Sequence, residues 1–191
     1  MMKANPMKSI ALGTACVAGL VLGLTNPGYA QKTVMVGGAA MYPNKNIIEN
    51  AVNSKDHTTL VAAVKAAGLV DTLSGKGPYM VFAPTNAAFA RLPKGTVQSL
   101  LKPENKAKLT KILTSHVVGK AVMSSAISQM VTDDNGAHPV KTLSGATLIA
   151  MKKNGKLTLT DENGGVATVT IADVTQSNGV IHVVDRVLLP K

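Results

Sequence analysis

The chain has 191 residues, 46% of them hydrophobic and 16% charged, with no tryptophan and a formal net charge of +10. That length has room for one ordinary domain with its own core and hardly for two. With two phenylalanines and three tyrosines, the core must be aliphatic, and no base-stacking platform interleaves with the basic residues, so specific nucleic-acid binding is not expected.

Lys3 and Lys8 precede an apolar or small run from Ile10 to Leu24, and Gly28-Tyr29-Ala30 offers a small-x-small cleavage site before Gln31. Residues 1–30 read as a signal peptide. The alternative, a retained membrane anchor, needs roughly 20 apolar residues where about 15 are present. Cys16, the single cysteine, lies inside this run, with Gly13 where a lipoprotein signal would carry leucine, so lipid attachment is not expected. Cleavage near Ala30 predicts a secreted or periplasmic protein with neither a disulfide nor a thiol nucleophile. Without Lys3 and Lys8, the 18 remaining basic residues face 10 acidic ones, a net of +8, which favours anionic partners such as lipid headgroups or acidic polysaccharide.

Residues 31–43, QKTVMVGGAAMYP, are small and Gly-rich without a period and read as an extended lead-in to a single domain over 44–190. Ile47, Ile48, Ala51 and Val52 form the apolar stripe of a short helix. A second helix buries Leu60, Val61, Val64 and Ala67, is capped by Ser54 or Asp56, and stops at Gly68; Leu69 to Leu73 add a further turn. Tyr79 to Ala83 read as a buried strand that Pro84 ends, because proline has no N–H for a ladder. Thr85 or Asn86 then caps a helical turn that buries Phe89 and Leu92. A short helix starts at Thr96, and Pro103 opens another through Leu109, Ile112 and Leu113.

From His116 the pattern changes. His116-Val117-Val118 read as a short strand, and residues 121–131 stay ambiguous between helix and loop. After the Asp133-Asp134-Asn135-Gly136 turn come strands at Ala146 to Lys152 and Lys156 to Thr160, joined by an Asn154-Gly155 hairpin signal. Strands at Val166 to Val174 and Val180 to Leu189 follow. The last is apolar on both sides and is placed in the middle of a sheet. A helical first half and strand-rich second half predict an α+β fold.

The sequence contains no catalytic constellation. There is no Gly-x-Ser-x-Gly elbow, and His57, His116, His138 and His182 stand singly, without zinc-site spacing. No glycine-rich loop cradles a phosphate, and Asp161 to Gly165 offers oxygen ligands but not the 12-residue loop of an EF-hand. No cofactor or metal is expected, and a hydrolase is the least supported reading. His182 shares a strand face with Val180 and Val184, which predicts a buried, hydrogen-bonded imidazole. Lys102, Lys106, Lys108 and Lys111 fall within ten residues against one acid, Glu104. They are either a solvated helix face with Glu104 paired to Lys108, or a contact face for an anionic polymer or lipid headgroups.

Two segments carry a family resemblance. YMVFAPTNAAFARLP (79–93) resembles the first signature block of the fasciclin-type (FAS1) domain, and GVIHVVDRVLLP (179–190) resembles the second. ILTSHVVGK (112–120) and TLSGATLIA (142–150) resemble the family's central histidine segment and the strand after it. The resemblance implies a wedge-shaped β-sandwich packed with several short helices, in a secreted or surface-attached protein of adhesion and extracellular interaction, not an enzyme. In the first block Phe82, Pro84, Thr85 and Phe89 take structural positions, as does His182 in the second. Animal members contact integrins through a Tyr-His pair and a Glu-Pro-Asp-Ile-Met-like loop. Those places fall on Ser115-His116, without the tyrosine, and on residues 171–175, where Asp173 alone is identical, so His116 and Asp173 are candidate contact residues but integrin-type recognition is not expected. The absence of an Asn-x-Ser/Thr sequon fits a bacterial source.

The sequence thus predicts an exported, non-catalytic adhesion or interaction module for an extracellular matrix, envelope or host protein or glycan. The alternative is an electrostatic binder of anionic polysaccharide or a membrane surface through the lysine-rich helix.

Overall fold

A computed structural model describes residues 33–191; the expected signal peptide, its cleavage site and Cys16 lie outside the described residues. Strands β1 (Val34–Val36) and β2 (Ala39–Met41) form a hairpin turned by Gly37 and Gly38 at φ 58° and 75°. This stretch is more than an extended lead-in, because Val36 and Met41 are buried in the core that the helices build. Asn50 of helix α1 (Ile47–Ala51) ties the hairpin down. Its Oδ1 accepts from the Tyr42 N–H at 3.0 Å, and its Nδ2 donates to the Tyr42 carbonyl at 2.8 Å and to the Gln176 side chain.

Helix α2 (Thr58–Ala67) ends at Gly68 in the left-handed region, φ 72°. Its N-terminus departs from expectation. A 3-10 turn at Lys55–His57 precedes it, and the Ser54 hydroxyl bonds the His57 ring at 2.8 Å instead of capping. The Asn86 side chain supplies the acceptor from outside, taking the Thr59 N–H at 3.0 Å. Helices α3 (Val70–Ser74), α4 (Asn86–Ala90), α5 (Thr96–Leu100) and α6 (Lys106–Thr114) complete the first half, with Thr85 capping α4 through the Ala88 N–H. Helix α7 (Ser124–Asp133) resolves the ambiguous stretch in favour of helix.

The remaining strands are β3 (Tyr79–Pro84), β4 (Val117–Val118), β5 (Ala137–Lys141), β6 (Thr147–Lys153), β7 (Lys156–Thr160), β8 (Val166–Gln176) and β9 (Gly179–Val184). They form a seven-stranded sheet in the order β4-β3-β9-β8-β7-β6-β5. Only β3 and β9 run parallel, in a register that sets Phe82 beside His182. Both strands are buried on both faces. Val81, Ala83, Ile181 and Val183 join the core under α1 to α6, while Met80, Phe82 and Val184 join a second core with α7 and β5 to β8. Such two-sided burial is why both strands read as unbroken apolar runs.

β8 breaks register twice, between Val169 and Ile171 and between Ile171 and Val174, and the sheet bends there. The two ends of the order approach each other: the Leu143 N–H, two residues beyond β5, donates to the Val117 carbonyl of β4 at 2.7 Å. β5 was not expected from sequence; it carries Pro139, which is tolerated there since β5 is an edge strand. β9 also stops earlier than expected. Asp185 leaves the ladder with β3, and its carboxylate accepts the Thr168 N–H at 2.7 Å.

At the entry to β3 and β9 the backbones nearly touch. The Tyr79 N–H donates to the Asn178 carbonyl at 3.0 Å, and a Cβ on Gly77 or Gly179 would overlap the facing carbonyl oxygen. The Asn178 side chain fixes this corner, accepting from the Ile47 N–H at 3.1 Å and donating to the Leu73 and Gly75 carbonyls at 2.8 and 2.9 Å. No helix of the described residues is long and apolar enough to cross a membrane.

Candidate interaction surface

Helix α6 is positioned by Leu109, Ile112 and Leu113, whose spacing turns one side into the core and leaves Lys106, Lys108 and Lys111 exposed. Lys102 is exposed just before it. Glu104 does not pair with Lys108: it lies in a 3-10 turn (Pro103–Asn105), and the chain changes helix type at Asn105 before α6 begins. The ion pairs among the described residues are Arg91–Asp185 and His138–Asp134, so none of the four lysines pairs with an Asp or Glu side chain.

The lysines do not converge on one point. Lys106 extends over Gly68, at the C-terminal end of α2, where a cation meets the negative end of the helix dipole. Lys111 donates to the Lys191 carbonyl. Lys108 faces a shallow depression of about 370 Å³ whose other side is Lys94, with Thr96, Ser99 and Asn105 between them. Lys94 escaped the sequence reading because it sits alone before Gly95; only the turn from α5 to α6 brings it opposite Lys108.

The other two candidate contacts are engaged within the fold, His116 buried and Asp173 half-buried. His116 is 2% exposed, so it cannot meet a partner. Its Nδ1–H donates to the Ile112 carbonyl at 2.8 Å and its Nε2 accepts the Leu188 N–H at 2.9 Å, which sets the tautomer. Burial pushes its pKa down to about 4, against the Ile112 carbonyl and Asp161, which favour the charged form. Asp173 sits within the irregular part of β8 at φ 59° and caps α7 from outside, taking the Ser124 N–H at 2.6 Å and the Ser124 hydroxyl at 2.5 Å. It is a structural ligand of the helix, not a free carboxylate.

His182 is fully buried, stacks on Phe82 with ring centroids 5.8 Å apart, accepts the Asp173 N–H on Nδ1 and donates from Nε2 to the Val122 carbonyl. Burial lowers its pKa, opposed by Val122 and Asp173. Phe82, Pro84 and Phe89 are likewise buried. His57 is buried too, and its pKa is lowered by desolvation; its Nε2 lies toward the Ala83 carbonyl but makes no hydrogen bond of normal geometry. The oxygens of Asp161 are taken by the N–H groups of Asn163, Gly165 and Leu189. Both ring nitrogens of His116 and of His182 are engaged by backbone, so neither histidine has a nitrogen left to serve as a base toward a substrate. No group of three His, Cys, Asp or Glu side chains among the described residues is placed to hold a metal ion.

Comparison with known proteins bears on this arrangement. The chain is 44% identical to Protein sll1483 of Synechocystis sp. over 96% of its own length and 99% of that protein's. It is 33% identical to the cell surface glycolipoprotein MPB83 of Mycobacterium bovis over 94% of its own length and 72% of that protein's. In fold it matches the solved FAS1 domain pair of the insect cell adhesion molecule Fasciclin I, with a TM-score of 0.68 at 16% identity, over 84% of this chain and 58% of that one. The family model described as the fasciclin domain matches residues 55–190, and the chain belongs to that family.

Proposed function

We propose that this fasciclin domain is an exported, non-catalytic adhesion or interaction module that engages a matrix, envelope or host component. Family membership carries the reading, together with a relative described as a cell surface glycolipoprotein and a fold neighbour described as a cell adhesion molecule. The buried histidines support it from the chemical side, since their ring nitrogens hold the fold together.

A second reading, electrostatic capture of an anionic polymer or lipid headgroups, is favoured by Lys102, Lys106, Lys108 and Lys111, exposed and not paired with Asp or Glu side chains, and by Lys94 opposite Lys108. One experiment separates the two. The protein is crosslinked to envelope and matrix fractions at low and physiological salt, beside a variant with the four lysines changed to glutamate. Capture that survives physiological salt and the charge reversal supports a specific adhesion partner. Capture lost in both supports the electrostatic reading, because exposed charge contacts are screened over about 8 Å at physiological ionic strength. No capture under any condition overturns both. Export is tested by fractionation and mass measurement: a mature chain starting near Gln31 is expected, and a full-length cytosolic protein would refute it.

A further inference from the structure

We infer that the groove between the two edges of the rolled sheet is a binding site for a single-chain amphiphilic carboxylate, of the fatty-acid type. β4 and β5 are the outer strands of the order, and the turn that follows β5 is joined to β4 through the Leu143–Val117 backbone bond. Beyond that contact they part, and Gly119-Lys120 on one side and Pro139-Lys141 on the other border a groove of about 420 Å³. That volume lies in the range of small-molecule sites, about 300–1,000 Å³.

The interior of the groove is continuous with the second core: Met80, Val118, Ile127 and Val140 line it and are each buried to 8% exposure or less. Met130 of α7 stands at its mouth, 39% exposed, and a thioether on a flexible stem adapts to an apolar guest. The rim carries Lys120 and Lys141, both exposed and neither ion-paired, one on each edge. His138, the remaining titratable group there, is held by Asp134 at 2.6 Å, and no carboxylate lines the groove. Two cations over an apolar floor are the complement of an anionic head on an apolar tail.

An added peptide strand fits worse. β4 is two residues long, and the open edge of β5 has Pro139, which offers no N–H, in its middle. Recognition therefore falls to head charge and tail, not to backbone pairing. The groove shares no residue with the lysine face of α5 and α6, so this inference stands or falls apart from the proposed function.

Dodecanoate, below its micellar concentration, is titrated into the protein by calorimetry, with 1-dodecanol and dodecyltrimethylammonium as neutral and cationic comparators. Saturable binding of dodecanoate near one per chain is expected, with markedly weaker binding of both comparators. The double variant Lys120→Glu/Lys141→Glu changes only exposed side chains and is expected to weaken binding by about tenfold, through two lost attractions and two added repulsions. Met130→Glu is expected to weaken it comparably, while reversing Lys102, Lys106, Lys108 and Lys111 leaves it unchanged. Absence of saturable binding, equal binding of dodecanol, or an unchanged affinity in the folded Lys120/Lys141 variant overturns the assignment.

Discussion

His116 makes the stability of this domain depend on pH in a window that the structure defines. Folded, its imidazole has a pKa of about 4 in place of the ordinary 6.5, because burial disfavours the cation. Above pH 6.5 the ring is neutral in both folded and unfolded chains, and the full stability is present. As pH falls below 6.5 the unfolded chain takes up a proton that the folded chain refuses, so stability drops until about pH 4, below which both states are protonated. A shift from 6.5 to about 4 corresponds to about 3 kcal/mol, most of which is lost by pH 4.5. Geometry gives the same sign, since protonating Nε2 sets an N–H against the Leu188 N–H that it now accepts. His182 and His57 are shifted in the same direction by burial and steepen the loss. Urea unfolding followed by circular dichroism, repeated from pH 7.5 to 4.5, measures it. His116→Gln is expected to be less stable at pH 7.5 by about 1–3 kcal/mol, because one buried backbone group loses its partner. Its further loss toward pH 4.5 should be smaller than that of the parent by about 2 kcal/mol. If parent and variant lose stability in parallel, His116 does not titrate as its burial requires.

Other perturbations follow from single contacts. Gly179→Ala places a Cβ 2.9 Å from the Tyr79 carbonyl carbon and closer still to its oxygen, so a loss of about 3 kcal/mol or outright misfolding is expected in urea unfolding. Gly155→Ala, in open space at φ 76°, should cost only about 1–2 kcal/mol, for backbone strain alone; equal costs would contradict the close approach of β3 and β9. Asp173→Ala removes both acceptors from Ser124 and is expected to destabilise by about 1–2 kcal/mol and to speed amide exchange at the start of α7. Asn50→Ala unpins the β1–β2 hairpin, leaving the buried Gln176 side chain with one partner fewer. It is expected to cost about 2–3 kcal/mol, with faster exchange at residues 34–42; unaltered exchange there would show that apolar packing alone holds the hairpin.

Local interactions were legible in the sequence wherever they span a turn or two. The spacing of Leu109, Ile112 and Leu113 oriented α6, Gly68 ended α2, Asn154-Gly155 turned β6 into β7, the apolar run at Tyr79 to Ala83 marked β3 as buried, and two-sided apolarity marked β9 as central. The signature blocks pointed to the family for the same reason: they are the strand-to-turn junctions that the fold requires. What the sequence could not determine is which distant surfaces meet. Thr85 was a readable cap three residues from its amide, whereas Asn86 caps a helix that begins 28 residues earlier in the chain. β5, with Pro139 in its middle, was not read from the sequence, and the sheet order accommodates the proline by making that strand an edge. His116 looked available at the start of a strand, yet Leu188, 72 residues away, closes over it. Helical and strand periods encode which face of an element is apolar, but not which face it meets. That choice belongs to the packing of the whole chain, and it is packing that buried His116, engaged the Asp173 carboxylate on α7, set Lys94 opposite Lys108, and rolled the sheet so that a groove opens between its two edges.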